Sequence, residues 1–493
     1  MKDISRNLTM LFDFYELTMG NGYFKSGMKD KIVYFDVFYR DNPDNGGYAI
    51  AAGLEQIVEY IENLHFDSDD IEYLRSKKCF SEDFLEYLKD FSFHGDMWAV
   101  PEGTVVFPGE PLITVRATAI EAQFIETYLL LMINHQSLIA TKGSRITRAA
   151  AGRVISEFGS RRAQGADAAI LGARAAYIGG VHATACAISD EVYGVPATGT
   201  MAHSWVQMFD DEYKAFETYC RLYPENATLL VDTYNVLERG VPNAIKAFET
   251  VLKPLGIKKC GIRIDSGDIT YLSKKARKML DDAGWTECKI IASNSLDEYI
   301  IKELIYQGAK IDGFGVGERL ITSKTSPVFG AVYKLCAVEN ADGVIEPKIK
   351  ISENVAKVTT PHFKKVYRLY DNETGMAEAD LICVYDEKIK DGPEAELEIF
   401  DPHAVWKRKV MTDFTARELL VRIYENGKLV YKLPKLNDIR KYCADEISHM
   451  WESVLRFENP HNYYVDLSQE LWDIKHNMIN NFKNSGSKAS KKK

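Results

Sequence analysis

Long apolar runs are missing from this sequence. The longest, around Leu129–Ile133, falls far short of the about 20 residues that a helix needs to cross a bilayer. The opening stretch MKDISRNLTMLFDFYELTM has neither the apolar centre nor the small-residue cleavage site of a secretory signal. A cytoplasmic chain is expected, with no membrane partner. Cysteine is sparse and scattered: eight residues, at 79, 186, 220, 260, 288, 336, 383 and 443, with no CxxC among them. That excludes a zinc ribbon and a thioredoxin-type pair, and a reduced, structural set is expected. Positive charge is also short, with 61 Lys and Arg against 71 Asp and Glu and a net charge of −10. Nucleic acid is thereby excluded as the main partner.

What is present fits an ordinary globular protein. Hydrophobic residues make up 46% and charged residues 27% of 493 residues, a length that calls for two or three domains. Residues 1–140 read as an α+β, β-rich domain: a helix over LFDFYELTMGNGYFKSG, a strand over KIVYFDVFYRD, and Pro-Gly punctuation in VVFPGEPLITVRATA. A long helix follows from Ala119. From 141 to 340 short apolar or small-residue strands alternate with helices. Such alternation predicts a parallel sheet, and about eight candidate strands favour an irregular (β/α) barrel. VFGAVYKLCAV reads as the strand that closes the series. Residues 341–485 turn β-rich and then helical, returning to pack on the first two regions. The basic tail from 486 to 493 reads as disordered.

In a parallel barrel the chemistry sits at the carboxyl ends of the strands. Those ends carry Glu157, Phe158, Ser160, Arg161 and Arg162; then His182 and Thr184; then Thr198, Thr200 and His203; then Asp232, Thr233 and Asn235. They continue with Arg263, Asp265, Ser266 and Asp268; with Ser293, Asn294 and Ser295; and with Gly313, Gly315 and Gly317. Any one of these could be a cap or turn residue. Ser295–Glu298 has the spacing of a capping box. No lysine ends a strand core, which argues against a Schiff-base enzyme. No HxH or ExxH cluster occurs there, so no resident metal is expected.

Three stretches stand out. RIDSGD sets Arg263 and Asp265 on one side of a strand, with Ser266-Gly267 making the turn. An arginine fork grips a carboxylate or phosphate, and an aspartate can hold ribose hydroxyls or Mg²⁺ on a diphosphate. GFGVGERLITS places glycines where late barrel loops cradle phosphate through backbone N–H groups. Between Thr141 and Gly180 seven basic residues face two acidic ones, which reads as a solvated helix face or a sink for an anionic substrate. His203, in VPATGTMAHSWVQMF, could be a core residue, a metal ligand, a general base or a nucleophile.

The motifs DFYELTMGNGYF, EFGSRRAQG, ATGTMAHSW, GIRIDSGD, SNSLDE, DGFGVGERLIT and GAVYKL occur in the order found in nicotinate phosphoribosyltransferases, and the chain closely resembles that type II phosphoribosyltransferase family. The resemblance implies transfer of phosphoribosyl from 5-phosphoribosyl 1-diphosphate to the ring nitrogen of nicotinate, releasing diphosphate, in NAD salvage. It implies ATP hydrolysis coupled through a phosphorylated histidine, here His203, with Mg²⁺ carried on the substrate phosphates. It implies a pyridine clamp of Phe158 and Tyr15, the latter reaching in from the second subunit of a homodimer. Thr200 and Arg263 fall near the nicotinate, Arg161 at the nucleotide phosphate, Asp265 at the ribose, and Gly315 and Gly317 in the phosphate loop. Ser266, Gly267 and Asn294 join the substrate-binding set, with Glu318 contributing through its backbone N–H. Amide-using relatives carry an acid near Thr184; HATA has none, which suits a carboxylate substrate.

Competing readings keep the fold with nicotinamide or quinolinate as substrate, or make the chain a silent binding protein, or a sugar-phosphate isomerase using Glu157 and His182.

Overall fold

The computed structural model describes residues 7–354 and 357–490, with side chains through residue 482. These residues form two compact units: one spans Ile139–Pro327, and the other combines the chain before Ile139 with the chain after Pro327.

The Ile139–Pro327 unit is built on a parallel sheet of six strands. Their spatial order is Ala183–Thr184, Val154–Glu157, Gly313–Val316, Lys289–Ser293, Gly261–Ile264 and Thr228–Leu230. Ile155, Leu229, Leu230, Ile262, Ile264, Ile290, Ala292, Phe314 and Val316 are all buried. Near-continuous apolar strands are what a sheet covered on both faces requires. Helices Ala166–Ile178, Glu212–Leu222, Ile269–Asp282 and Glu298–Tyr306 alternate with the strands. Phe216, Phe248 and Trp285 fill the core against the sheet. The register brings the strand ends level: Glu157 lies beside Thr184, Gly315 beside Ser156 and Ser293, and Ala292 beside Ile264. The irregular (β/α) architecture expected from the alternation is therefore present, in a mixed α/β chain with a β-rich N-terminal region.

It differs in detail. Six strands form where about eight were expected. VPATGT contributes one bridge, Ala197 to Thr184. Pro196 has no N–H to extend the ladder. VFGAVYKLCAV does not close the parallel series. Its Val332–Glu339 strand pairs antiparallel with Ile32–Phe38 in the other unit. Tyr333, Cys336, Ala337 and Val338 of this strand are buried. The helix read across SWVQMFDDEYKAFETYCRL is two, His203–Gln207 and Glu212–Leu222. The break falls where the Asp211 carboxylate caps the second by accepting from the Tyr213 N–H.

The second unit holds a seven-stranded sheet with Ile32–Phe38 and Ile113–Thr118 near its centre, and a five-stranded sheet led by Lys364–Asp371 and Ala377–Val384. Regions read separately as 1–140 and 341–485 thus lie mostly in one unit. Arg368 is fully buried there, its guanidinium bonded to Asp380 at 2.6 and 2.9 Å and to Glu446 at 3.0 Å. A charge so deep is tolerated because every side of it is paired. The helix Gln469–Ser490 runs on through residues read as a disordered tail, and the last three residues of that tail lie outside the described residues. Among the described residues no helix is long and apolar enough to cross a membrane. The eight cysteines are unpaired, and all but Cys79 are buried.

Candidate active site

The level strand ends of the parallel sheet place the polar residues on one rim. Arg263 is the penultimate residue of Gly261–Ile264. Its Nη1 donates to Thr200 Oγ1 at 2.8 Å and its Nη2 to the Met201 carbonyl at 3.1 Å. These bonds hold the ATGTM loop against the strand. The Nε is buried without a partner, a donor in want of an acceptor. Burial, with Arg161 as a like charge nearby, pushes the guanidinium pKa down.

Two residues on, Asp265 forms the second anchor. Its Oδ1 accepts a hydrogen bond from Ser293 of the adjacent strand, and its Oδ2 lies 4.0 Å from His203 Nε2. His203 opens its short helix and places Nδ1 3.2 Å from Thr233 Oγ1. The imidazole is thus held between an aspartate and a hydroxyl while staying partly open to solvent. Asp232 braces the neighbouring turn. Its Oδ2 accepts from the Asp265 N–H at 3.1 Å and from Ser266 Oγ at 2.6 Å. Its Oδ1 is buried and unpartnered. Gly267 completes the turn at φ +82°, a left-handed conformation that glycine adopts without strain.

Across the sheet, Phe158 follows the Val154–Glu157 strand and lays its ring over Gly315. A β-carbon at 315 would come within 2.5 Å of the Phe158 ring. Glycine at this position is what leaves room for the ring against the strand. Gly317 caps the short helix Glu318–Ile321. The Glu318 carboxylate is taken by Lys324 at 2.7 Å, with Arg162 at 4.0 Å, and the Lys324 contact holds its pKa down. Its side chain is engaged locally, leaving the backbone N–H as its contribution to the loop. Arg161 is exposed on the same rim.

Three expectations change here. Thr184 is fully buried, and its hydroxyl donates to Glu157 Oε2 at 2.7 Å and accepts from the Cys186 N–H. It carries no free hydroxyl for a ligand. Ser295 is not a cap: Asp297 caps Glu298–Tyr306, accepting from the Tyr299 and Ile300 N–H groups. Asn294 and Ser295 instead both adopt positive φ, at 82° and 45°. The basic run between Thr141 and Gly180 is mostly not a substrate sink. Lys142, Arg145 and Arg174 are buried. Lys142 and Arg145 both contact Glu298, at 2.9 and 2.8 Å. Arg161 and Arg162 are the exposed cations. Thr233, Asp232 and Ser293 stood in the sequence only as polar strand ends. Their roles as partners of His203, Ser266 and Asp265 come from contacts 28 to 34 residues apart.

Glu157 and His182 do not form an acid–base pair open to solvent. Glu157 is fully buried, bonded to Thr184 and the Gly159 N–H, and burial raises its pKa. His182 accepts the Ile155 N–H at 3.3 Å. Tyr15 lies in the other unit, exposed on the helix Phe14–Lys25. Partial burial, first, and the nearby Glu126 raise its pKa.

Comparison with known proteins gives a consistent picture. The family model described as nicotinate phosphoribosyltransferase N-terminal domain matches residues 10–134, and that described as the C-terminal domain matches residues 363–475. A nicotinate phosphoribosyltransferase of Bacillus subtilis is 45% identical, over 97% of this chain and 96% of its own. One from Dictyostelium discoideum is 34% identical, over 95% and 88%. The crystal structure of human nicotinic acid phosphoribosyltransferase superposes with a TM-score of 0.82 at 26% identity, covering 95% of this chain and 100% of that one.

Proposed function

The chain belongs to the nicotinate phosphoribosyltransferase family, and on that premise we propose that it transfers phosphoribosyl from 5-phosphoribosyl 1-diphosphate to the ring nitrogen of nicotinate. The observation that carries the reading is Arg263, fixed to Thr200 yet with a buried, unpartnered Nε. A carboxylate is the acceptor such a donor lacks, and an arginine fork fits it well. The Phe158 ring on Gly315 offers a flat apolar face to a pyridine. Tyr15 of a second subunit supplies the opposing ring in a homodimer.

In the transfer the C1–O bond to diphosphate breaks while the nicotinate nitrogen forms its bond to C1. That nitrogen carries its own lone pair, so no general base is needed. Positive charge develops at the ribose, and Asp265, held by Ser293, is placed to offset it. Diphosphate departs toward Arg161 and the N–H groups around Gly317 and Glu318. Asp232 Oδ1 and Asp265 fit a Mg²⁺ carried on substrate phosphates, because that ion is commonly bound by one or two carboxylates plus phosphate oxygens. Bound there, the ion would offset phosphate charge.

His203 is the proposed acceptor of the ATP γ-phosphoryl group. A phosphorus–nitrogen bond forms and the bond to ADP breaks; water later releases orthophosphate. Thr233 and Asp265 hold the ring for this step. The setting is NAD salvage in the cytoplasm. The test is incubation with γ-labelled ATP and Mg²⁺, which should give an acid-labile, base-stable phosphoprotein that His203→Ala abolishes. Undiminished label in that variant overturns the role of His203. Turnover of nicotinamide or quinolinate in preference to nicotinate overturns the substrate.

A further inference from the structure

Two successive acids, Asp297 and Glu298, fasten the loop that follows the Lys289–Ser293 strand. Glu298 is fully buried and meets Lys142 at 2.9 Å and Arg145 at 2.8 Å. Asp297, also buried, divides its carboxylate between two tasks. Its Oδ1 caps the helix Glu298–Tyr306, accepting from the Tyr299 and Ile300 N–H groups at 3.1 and 2.9 Å. Its Oδ2 accepts a charge-assisted bond from Arg319 Nη1. Arg319 lies on the short helix Glu318–Ile321, just beyond the neighbouring strand Gly313–Val316. The pair therefore ties one rim loop to the next.

Both tied loops hold left-handed backbone without glycine. Asn294 and Ser295 have φ of 82° and 45°, and Ser323, just past the short helix, has φ 42°. Asparagine tolerates such a conformation; serine does so less readily. It persists where the surrounding structure over-determines it. On one side of the pair lies the turn that carries Asn294 and follows Ser293, the partner of Asp265. On the other lies Gly317, so close to the Phe158 segment that a β-carbon there would come within 3.0 Å of the Phe158 carbonyl oxygen. An arginine beside a glycine loop is by type a phosphate ligand. This one is instead engaged by a carboxylate from the adjacent loop, 22 residues away in sequence.

We infer that Arg319 and Asp297 are positioning residues for 5-phosphoribosyl 1-diphosphate: their ion pair fixes the spacing of the Asn294–Ser295 turn and the Gly317 loop, and neither side chain touches the phosphates. This role rests on the transfer reaction proposed above. It separates the two residues from Arg161, which is free on the rim to meet phosphate directly.

The experiment compares Arg319→Met, Asp297→Asn and the double variant of the full chain. Steady-state kinetics vary 5-phosphoribosyl 1-diphosphate at saturating nicotinate, and calorimetry titrates the same proteins with inorganic diphosphate. Each single substitution should raise the KM for 5-phosphoribosyl 1-diphosphate about tenfold and weaken diphosphate to a similar extent. The KM for nicotinate should stay within about twofold. The double variant should match the singles, because the same pair is lost once. Arg319→Lys, which keeps a cation for Asp297, should recover part of the loss. Asp297→Asn keeps an acceptor for the helix cap, and melting curves check that each variant folds. A direct phosphate contact by Arg319 predicts the opposite pattern: Asp297→Asn would leave the KM unchanged or lower it. That result, losses that multiply to about 100-fold in the double variant, or a lower melting temperature with unchanged KM overturns the proposal. Absence of turnover by the unsubstituted chain would instead sink the transfer reaction, and the diphosphate titration would still judge the pair.

Discussion

Phe158 and Gly315 share one space: the aromatic ring lies where a side chain at 315 would have to be. The two come from adjacent parallel strands that end level with one another. The glycine therefore positions the ring that the pyridine would stack on.

Gly315→Ala should displace that ring. Overpacking costs roughly 1–3 kcal/mol at such sites. We expect the KM for nicotinate to rise about tenfold or more, with a smaller change in kcat. Steady-state kinetics with nicotinate varied at saturating 5-phosphoribosyl 1-diphosphate reads this directly. An unchanged KM would show that the Phe158 ring does not hold the substrate.

Arg263→Lys keeps the charge and loses the planar fork. Lysine cannot bond Thr200 and Met201 together and still present a donor to a carboxylate. We expect kcat/KM for nicotinate to fall about 100-fold, or about 2.7 kcal/mol. A drop smaller than about threefold would mean that positive charge alone suffices.

Asp232→Ala should free the Asp265–Ser266 turn, which loses two hydrogen bonds at once. Residues that orient ligand-bearing groups typically cost 10- to 100-fold when removed. The loss should appear mainly in the KM for 5-phosphoribosyl 1-diphosphate, with the nicotinate KM little moved. Asp232→Asn, which keeps one acceptor oxygen, should recover part of it. Equal loss in both variants would assign the effect to the charge at Oδ1 instead.

Glu16 makes a prediction about pH. It is fully buried beside Tyr15, accepts a hydrogen bond from Thr127, and burial lifts its pKa to about 8. A carboxyl raised in the folded state binds its proton more tightly there than in the unfolded chain. Its contribution is therefore present below the ordinary carboxylate range and is lost as pH rises toward 8. The slope is at most about 1.4 kcal/mol per pH unit. Glu16→Gln should flatten the fall in melting temperature between pH 5 and pH 8 relative to the unsubstituted chain. Parallel melting curves for the two proteins would remove Glu16 as its source.

The rim was legible in sequence because parallel strands announce themselves. Each is a short apolar core that stops at polar residues, as in GIRIDSGD and ATLLVDTYN, and the register then sets those stops side by side. The pairings across the rim were not legible. Nothing local says that Thr233 meets His203 or that Ser293 meets Asp265, because those contacts depend on how neighbouring strands are juxtaposed. Charge was the least reliable guide. Lys142 and Arg145 share a helix face three residues apart, a spacing equally suited to solvent or to a buried acid. The acid, Glu298, lies more than 150 residues away. GAVYKLCAV failed for a related reason: a short β-rich segment does not reveal which sheet will receive it.

Asn294 and Ser295 sit one after the other in left-handed backbone, directly beyond the Ser293 that holds Asp265. Each such residue costs of order 1–3 kcal/mol relative to a relaxed turn. Glycine at 294 would relieve that cost, so a search for thermostable variants should select it early. A library screened for heat resistance alone would then drift toward an enzyme whose rim has lost the Asn294 amide. Any stabilisation campaign on this protein therefore needs an activity screen run alongside it at this turn.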